Sequence, residues 1–474
     1  MPFQIFGQVK FGQSMSNFSG IYGVHLNPTS TANSKVFLDI NFFSAGLSVN
    51  NNFIFIHKED FKLGNLLSTN PIFPSTAIRG QGVDYSEKYD LIYAFVKTEV
   101  IGPSFSLSLG QHSFGLFNRG VVMTSVYDLP SEIAVMVFEG LDHLPLHNLD
   151  ISGKDFNLAA LAWIETGLNY SYILKRGVLD NWSVGANYRR LTGHSGAYAN
   201  INDVDFTLFS DSRLEFRNLN TRLGFSLPLD YSSNDYPGPS PFFKSRGNAF
   251  DFGITYRRNL KSYYLPPPSR NCEYDQRPYL FKIGISLLDL GSINYSSNVL
   301  EQEFENVSVN WNRVDTTSFN NINTLTSQLS KVFYGDSLAS STGRNDIQIN
   351  LPTSLSLQYD FQYFPNWYLS GALILPVKSG NFQVRTPKQG YLGLRYEAEK
   401  FEIALPLSYY EFEHLYVGLH GRYKYFFVGT DNLASILGVS DLYGYDVYFG
   451  IKFHLQKGYC KNKRPAKNCK HLSF

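Results

Sequence analysis

Near its end the chain reads Tyr445-Asp-Val-Tyr-Phe-Gly-Ile-Lys-Phe-His-Leu455. Tyr445, Val447, Phe449, Ile451, Phe453 and Leu455 fall on one parity, and Asp446, Tyr448, Gly450, Lys452 and His454 on the other. Side chains of a strand alternate between two faces, so this stretch is a strand with one apolar side and one polar side. Its length suits a tilted strand that crosses a bilayer.

The pattern recurs along the chain. Leu38, Ile40 and Phe42 alternate with Asp39 and Asn41, and Phe53 to Ile56 follow after a turn at Asn50-Asn51-Asn52. Two separate strands are expected at residues 91–99 and 103–110. Leu158, Ala160, Ala162 and Ile164 share a parity, as do Trp182, Val184, Ala186 and Tyr188, opposite Arg189. Strands are also expected around Val204, Phe206 and Leu208, and around Leu223, Phe225 and Leu227. Phe250, Phe252, Ile254 and Tyr256 oppose Asp251 and Arg257; Phe281, Ile283 and Ile285 oppose Lys282. The C-terminal third repeats the motif with short turns, for example Phe401, Ile403, Leu405 and Leu407 against Glu402. Short turns make consecutive strands antiparallel neighbours. Charges at Asp39, Arg189, Asp251, Arg257, Lys282, Glu402 and Lys452 are costly in lipid, so they must face a wet or plugged lumen.

Composition agrees. Only 17% of the 474 residues are charged, low for a soluble surface, while 39 Phe and 32 Tyr suit lipid-facing strands with aromatic girdles. No apolar run is long enough for a transmembrane helix. The net charge of +1 leaves no footprint for nucleic acid. The expected fold is all-β: a single antiparallel transmembrane barrel of about 14 strands, range 12–16, with short helices in long loops. Residues 130–141 read as one such helix: Pro130-Ser131 opens it and Ile133, Ala134, Val137 and Leu141 share a face. Ile322, Leu325, Leu329, Val332 and Phe333 mark a second, within a folded external cap, and residues 431–437 a single turn.

The ends differ from the middle. Residues 1–10 are expected to be the remnant of a signal peptide, with cleavage near Gln8. Residues 11–34 are turn-rich, residues 35–455 form the barrel, and residues 456–474 form a basic periplasmic tail. The barrel closes with both termini in the periplasm of the bacterial outer membrane. Cys460 and Cys469 could close a loop in the tail, and Cys272 sits in a proline-rich loop placed outside; the pairing stays open.

Chemistry-bearing motifs are sparse. His143 and His147 have metal-like spacing, but Pro145 breaks the helix between them and no further ligand lies near, so loop packing is expected and no metal or cofactor. Gly193-His194-Ser195 lacks a nucleophile elbow, and no P-loop or Rossmann glycine pattern occurs, so no enzyme is expected.

Several pieces taken in order resemble an outer-membrane barrel family of the Bacteroidota known only as a domain of unknown function. They are Ile21-Tyr-Gly-Val-His-Leu-Asn-Pro-Thr-Ser30, Ile101-Gly-Pro-Ser-Phe-Ser106, Ala162-Trp-Ile-Glu-Thr-Gly-Leu-Asn-Tyr170 and Gly429-Thr-Asp-Asn-Leu433. The Asn27-Pro28 step and Ile283-Gly-Ile-Ser-Leu-Leu-Asp-Leu-Gly291 are more distantly similar to the long-chain fatty-acid transporter superfamily, which includes the shuttle barrel of the type IX secretion system. That resemblance implies fourteen strands and a lumenal hatch, with residues 11–34 as the hatch and Asn27 and Pro28 within it.

Two functions follow as expectations. A structural or interaction barrel of a surface or secretion assembly would have a polar, filled lumen, with outer-membrane lipid and envelope proteins as partners. A passive transporter of hydrophobic small molecules would show apolar residues on the lumen-facing parity. The charges from Asp39 to Lys452 favour the first. A soluble β-sandwich is the third reading, and detergent dependence separates it.

Overall fold

The computed structural model describes residues 10–60, 82–177, 179–236, 245–260, 278–317 and 320–456. The alternating stretches close on themselves into a fourteen-stranded antiparallel barrel. Its wall strands are β1 (Val36–Asn51), β2 (Leu91–Ile101 continued by Ser104–Leu109), β3 (His112–Pro130), β4 (Asp150–Arg176) and β5 (Asp180–Ser210). Next come β6 (Ser245–Asn259), β7 (Tyr279–Tyr295), β8 (Ile347–Asn350 continued by Ser354–Phe364), β9 (Trp367–Pro376) and β10 (Gln389–Glu397). The circuit ends with β11 (Phe401–Tyr410), β12 (His414–Val417 continued by Leu419–Tyr423), β13 (Phe426–Thr430) and β14 (Gly444–Gln456). β14 pairs with β1, Val49 opposite Tyr445 and Asp39 opposite His454, which leaves no free edge in the wall.

Alternation sets the two faces. On β14, Tyr445, Val447, Phe449 and Ile451 are exposed on the outer surface, while Asp446, Tyr448 and Lys452 are buried inside. On β11, Phe401, Ile403, Leu405, Leu407 and Tyr409 face out, and Glu402, Ala404, Ser408 and Tyr410 face in. An apolar outer belt around a polar interior is the pattern of a membrane-spanning barrel.

Several expectations need correction. Residues 91–99 and 103–110 are one wall strand, broken at Gly102-Pro103, since both halves pair with β1 and with β3. Residues 54–56 leave the wall and pair with Val83–Tyr85 instead. The strand expected around Val204 is the far half of β5, and strand Arg213–Ser226 leaves the barrel with it. β5 therefore forks: Ser245 of β6 sits opposite Gly193, whereas Ser226 sits opposite Gly196. Strands Val299–Phe304 and Val309–Asn312 extend this outlying sheet. The surplus strands of the sequence reading are therefore residues 53–56, the second half of 91–110 and the stretches around Val204 and Leu223, while Val299–Phe304 and Val309–Asn312 fall where it expected only cap.

The extension carries its own core. Ile151, Phe156, Val204, Phe206, Leu208, Leu214, Phe304 and Trp311 pack together, with Leu329, Val332 and Phe333 against them. Those last three lie on helix Ile322–Tyr334, and Ile133 and Met136 come from helix Ser131–Glu139. Both helices fall where the sequence placed them, as does the turn Leu433–Ile436. Asn321 caps the helix that follows it, its side chain accepting from the Thr324 amide at 2.7 Å. Asn321→Ala is expected to destabilise the cap by about 1 kcal/mol. Faster amide exchange confined to residues 320–334 would show it; exchange that spreads into the barrel would contradict a separate cap.

The two barrel ends are unlike. Connections at Gly110-Gln111, Pro365-Asn366 and Lys424-Tyr425 are short and share an end with Val36 and Gln456. Cap, helices and the longer links 52–90, 131–149 and 377–388 lie at the other end. The expected signal remnant up to residue 9, the basic tail beyond Gln456, and Cys272, Cys460 and Cys469 lie outside the described residues. The strand ends flanking Cys272, Asn259 and Tyr279, are at the short-turn end.

Candidate functional site: the lumen

Residues 10–34 run through the barrel interior, mostly buried, as two short helices and a 3-10 turn. A polar coil stays there because the wall supplies its hydrogen bonds. Asn17 donates its amide and side chain to Glu397 of β10, both at 2.9 Å, and accepts from Lys282 of β7 at 2.7 Å. The Ile21 amide donates to Asp39 of β1 at 3.0 Å, and Lys452 of β14 donates to the carbonyls of Phe18 and Ser19. Ser16 donates to Glu402 of β11 at 2.8 Å. Phe11 stacks on Tyr391 with ring centres 4.6 Å apart.

Asn27 and Pro28 lie at the β5–β8 side of this contact. The Asn27 side chain donates to Gln358 at 2.9 Å and accepts from the Thr29 amide at 3.0 Å, forming a local turn. The Pro28 carbonyl accepts from Asn169 at 2.9 Å. Here the wall is thinned by glycine. A Cβ on Gly185 would meet the Pro28 carbonyl carbon at 2.7 Å, and one on Gly253 would meet Asn27 Oδ1 at 2.3 Å.

Lys10, which the sequence reading left in the signal remnant, belongs to the buried segment. It is 2% exposed and pairs with Glu99 of β2 at 3.2 Å. From Glu99 a charge chain runs through Arg119 (3.0 Å) to Glu165 (2.8 Å), then Arg189 (3.2 Å) and Asp251 (2.6 Å). A second chain joins Lys35, Glu397, Arg395, Asp360 and Lys282. Arg422 pairs with Glu402, and Lys452 with Asp39 at 3.4 Å. Six of the expected lumen charges therefore meet counter-charges inside the barrel; Arg257 is half-buried near the short-turn end of β6, opposite Lys282. Arg395 and Glu397, which the sequence places opposite Leu392, Leu394 and Tyr396, complete the network together with Glu99 and Glu165, which escaped the sequence reading. The parity of Glu165, opposite that of Ile164, was the available signal.

The expectation of a uniformly polar lumen needs correction. Toward the cap end the inward parity turns apolar: Phe95, Val121, Met123, Leu161, Trp163, Leu191, Ile293, Ile349 and Val384 form one buried cluster with Tyr198 and Tyr295. Two zones are thus stacked along the axis: a packed apolar layer above, and an ion-paired zone filled by residues 10–34 below. The wall beside the lower zone is broken at Gly102-Pro103, where proline has no amide to donate. Asn41 bridges the break by donating to the Ile101 and Gly102 carbonyls, and Asn118 by donating to the Pro103 carbonyl.

The model of the family of unknown function DUF5723 matches residues 28–431. The chain belongs to that family. No curated protein matches it. Solved barrels match this DUF5723 member weakly. The P. putida toluene transporter TodX is 8% identical, over 93% of this chain and 95% of its own, at a TM-score of 0.39. A Pseudomonas aeruginosa FadL homologue is 10% identical, over 95% and 99%, at 0.30. The translocator domain of the autotransporter NalP from Neisseria meningitidis is 7% identical, over 95% and 100%, at 0.35. Likeness at this level concerns barrel shape and says nothing of cargo.

Among the described residues no three His, Cys, Asp or Glu side chains group as a metal site. His147 bonds the Leu141 carbonyl at 2.9 Å, and His194 lies 3.3 Å from Ser195 Oγ.

Proposed function

We propose that this DUF5723 barrel is a passive, plugged conduit of the outer membrane for a small hydrophobic molecule. The observation that carries the reading is the apolar layer on the lumen face, from Phe95 to Val384. Trp163, Leu191 and Ile293 turn inward above an ion-paired zone, and a hydrophobic permeant needs such an apolar surface on its path. Residues 10–34 act as the plug, with Asn27-Pro28 at its contact with the β5–β8 wall. In this reading Val36 and Gln456, at the short-turn end, face the periplasm. The permeant leaves inward past the plug or sideways at the Gly102-Pro103 break. In this reading the barrel acts without catalysis. Outer-membrane lipid is its immediate partner. The cap, with its separate core, is what speaks for an additional protein partner in the envelope.

The test is mass spectrometry of the protein extracted gently from its native membrane. A hydrophobic small molecule retained at near-equal amount is expected. A protein partner at that ratio, with no such molecule, would return the barrel to a scaffold.

A further inference from the structure

Residues 377–388, linking β9 to β10, do not loop away into solvent. Gln383, Val384 and Thr386 are buried, and Val384 is fully so, in the apolar cluster beside Trp163 and Leu191. The segment starts on β8: the Asn350 amide donates to the Phe382 carbonyl at 2.8 Å, and the Gln383 side chain donates to the carbonyls of Leu351 and Val377. It then crosses the mouth. Phe382 stacks on Tyr198 of β5, ring centres 4.0 Å apart and planes 20° apart, with the Arg222 guanidinium 5.9 Å from its ring. On the far side, the Arg385 amide donates to Ser125 Oγ of β3 at 3.1 Å. The Arg385 side chain pairs with Asp128 at 2.9 Å and lies 4.6 Å from the centre of the Tyr127 ring. The strap therefore touches β8, β5 and β3, on three sides of the apolar layer.

We infer that residues 377–388 are a gate that closes the apolar layer, held shut by Phe382 on Tyr198 and by Arg385 on β3. This rests on the conduit reading and adds a second barrier, independent of the plug. The contacts at the two ends differ in kind. The Gln383 bonds are made to backbone close to the strap's own root, so they persist when it swings. Tyr198, Ser125 and Asp128 are separate from that root, so they must be released. Arg385 and Asp128 are each partly open to water, which makes the pair weak and reversible. Phe382 occupies the place that an entering apolar group would take against Tyr198, so opening and loading are coupled: the permeant replaces the ring that shuts the mouth.

The probe is N-phenyl-1-naphthylamine, an uncharged dye whose fluorescence rises in an apolar medium, added to cells that display the full-length barrel. Ser125 Oγ meets the Arg385 amide at 3.1 Å, so the pair Ser125→Cys with Arg385→Cys is oxidised to tie the strap to β3, the bond being verified by its shift on non-reducing gels. Oxidised, this variant is expected to slow dye entry to the rate of cells without the barrel, and a reductant is expected to restore it. Phe382→Ala is expected to speed entry about fivefold, the ratio that about 1 kcal/mol of lost stacking gives. Heat-modifiable mobility of each variant on gels verifies that the barrel is folded. Oxidised and reduced forms that admit dye at the same rate, faster than cells without the barrel, would overturn the gate and leave the conduit standing. Wild-type entry no faster than in cells without the barrel would overturn both.

Discussion

Arg395→Met is expected to lower the unfolding free energy by about 3–5 kcal/mol. The guanidinium is fully buried on β10. It donates to Glu397 at 2.7 Å, to Ser370 at 2.7 Å and to Asp360 at 3.1 Å, and lies 5.1 Å from the Tyr368 ring centre. Methionine fills similar space but leaves two carboxylates short of a counter-charge. Lys35 still reaches Glu397 at 3.0 Å, and Lys282 still reaches Asp360 at 3.2 Å, so the loss falls toward the lower end of that range. Arg395→Lys keeps the charge and loses the fork, and should fall between wild type and Met. Urea unfolding in lipid vesicles, followed by tryptophan fluorescence, measures the order. A loss below about 1 kcal/mol, as at an exposed pair, would mean that water reaches this network and screens it. The second consequence is local. Glu397 receives both Asn17 bonds, so a carboxylate that shifts to find a new partner also loosens the N-terminal segment.

The barrel is legible in the sequence because its lower zone obeys one rule: inward polar, outward apolar. Asp39, Glu402 and Lys452 announce the lumen since lipid tolerates no charge on their faces. The inward apolar layer is hidden for two physical reasons. On β4, Leu161 and Trp163 are apolar on the inward face while Ala160, Ala162 and Ile164 are apolar on the outward one, so parity alone does not say which face is the lumen. On β7, the register slips near Asp289, whose φ is +56°, and the parity inverts. Ile283 and Ile285 face outward below the slip, while Ile293 and Tyr295 face inward above it. One parity carried through the whole strand therefore points its upper half at lipid. The cap strands mislead differently: Val204 and Phe206 alternate as well as any wall residue, because a sheet on a private core obeys the same period as a sheet in a membrane. Lys10 and Asn17 were beyond local reading, since their partners lie 89 to 380 residues away.

Gly185→Val is expected to displace the N-terminal segment from the barrel wall. Gly185 lies on β5, with φ outside the left-handed region, opposite Ser171 on one side and Gly253 on the other, so the strand itself accepts valine. Its added Cβ would stand 2.7 Å from the Pro28 carbonyl carbon, a contact with backbone that no rotamer relieves. Pro28 has little freedom to give way: its carbonyl is held by Asn169, and Thr29, next in the chain, is held against Thr255 at 2.5 Å. Overpacking of this kind costs about 1–3 kcal/mol. Because the wall strand is hydrogen-bonded on both sides, the strain is released by displacing residues 27–33, and a docked–undocked equilibrium moves by about 5- to 150-fold. The expected result is a barrel with unchanged heat-modifiable mobility whose N-terminal segment becomes cleavable by added protease, with faster entry of the naphthylamine dye. Gly185→Ala meets the same carbonyl with less bulk and should give a smaller change of the same sign. Gly371→Ala is the control, since a Cβ there meets its nearest neighbours at an ordinary 3.6 Å. If Gly185→Val instead destabilised the barrel and left the N-terminal segment protected, the wall would be the softer partner and residues 10–34 a fixed part of the core. If the segment were released and dye entry stayed at the wild-type rate, the barrier would lie above it, at the strap.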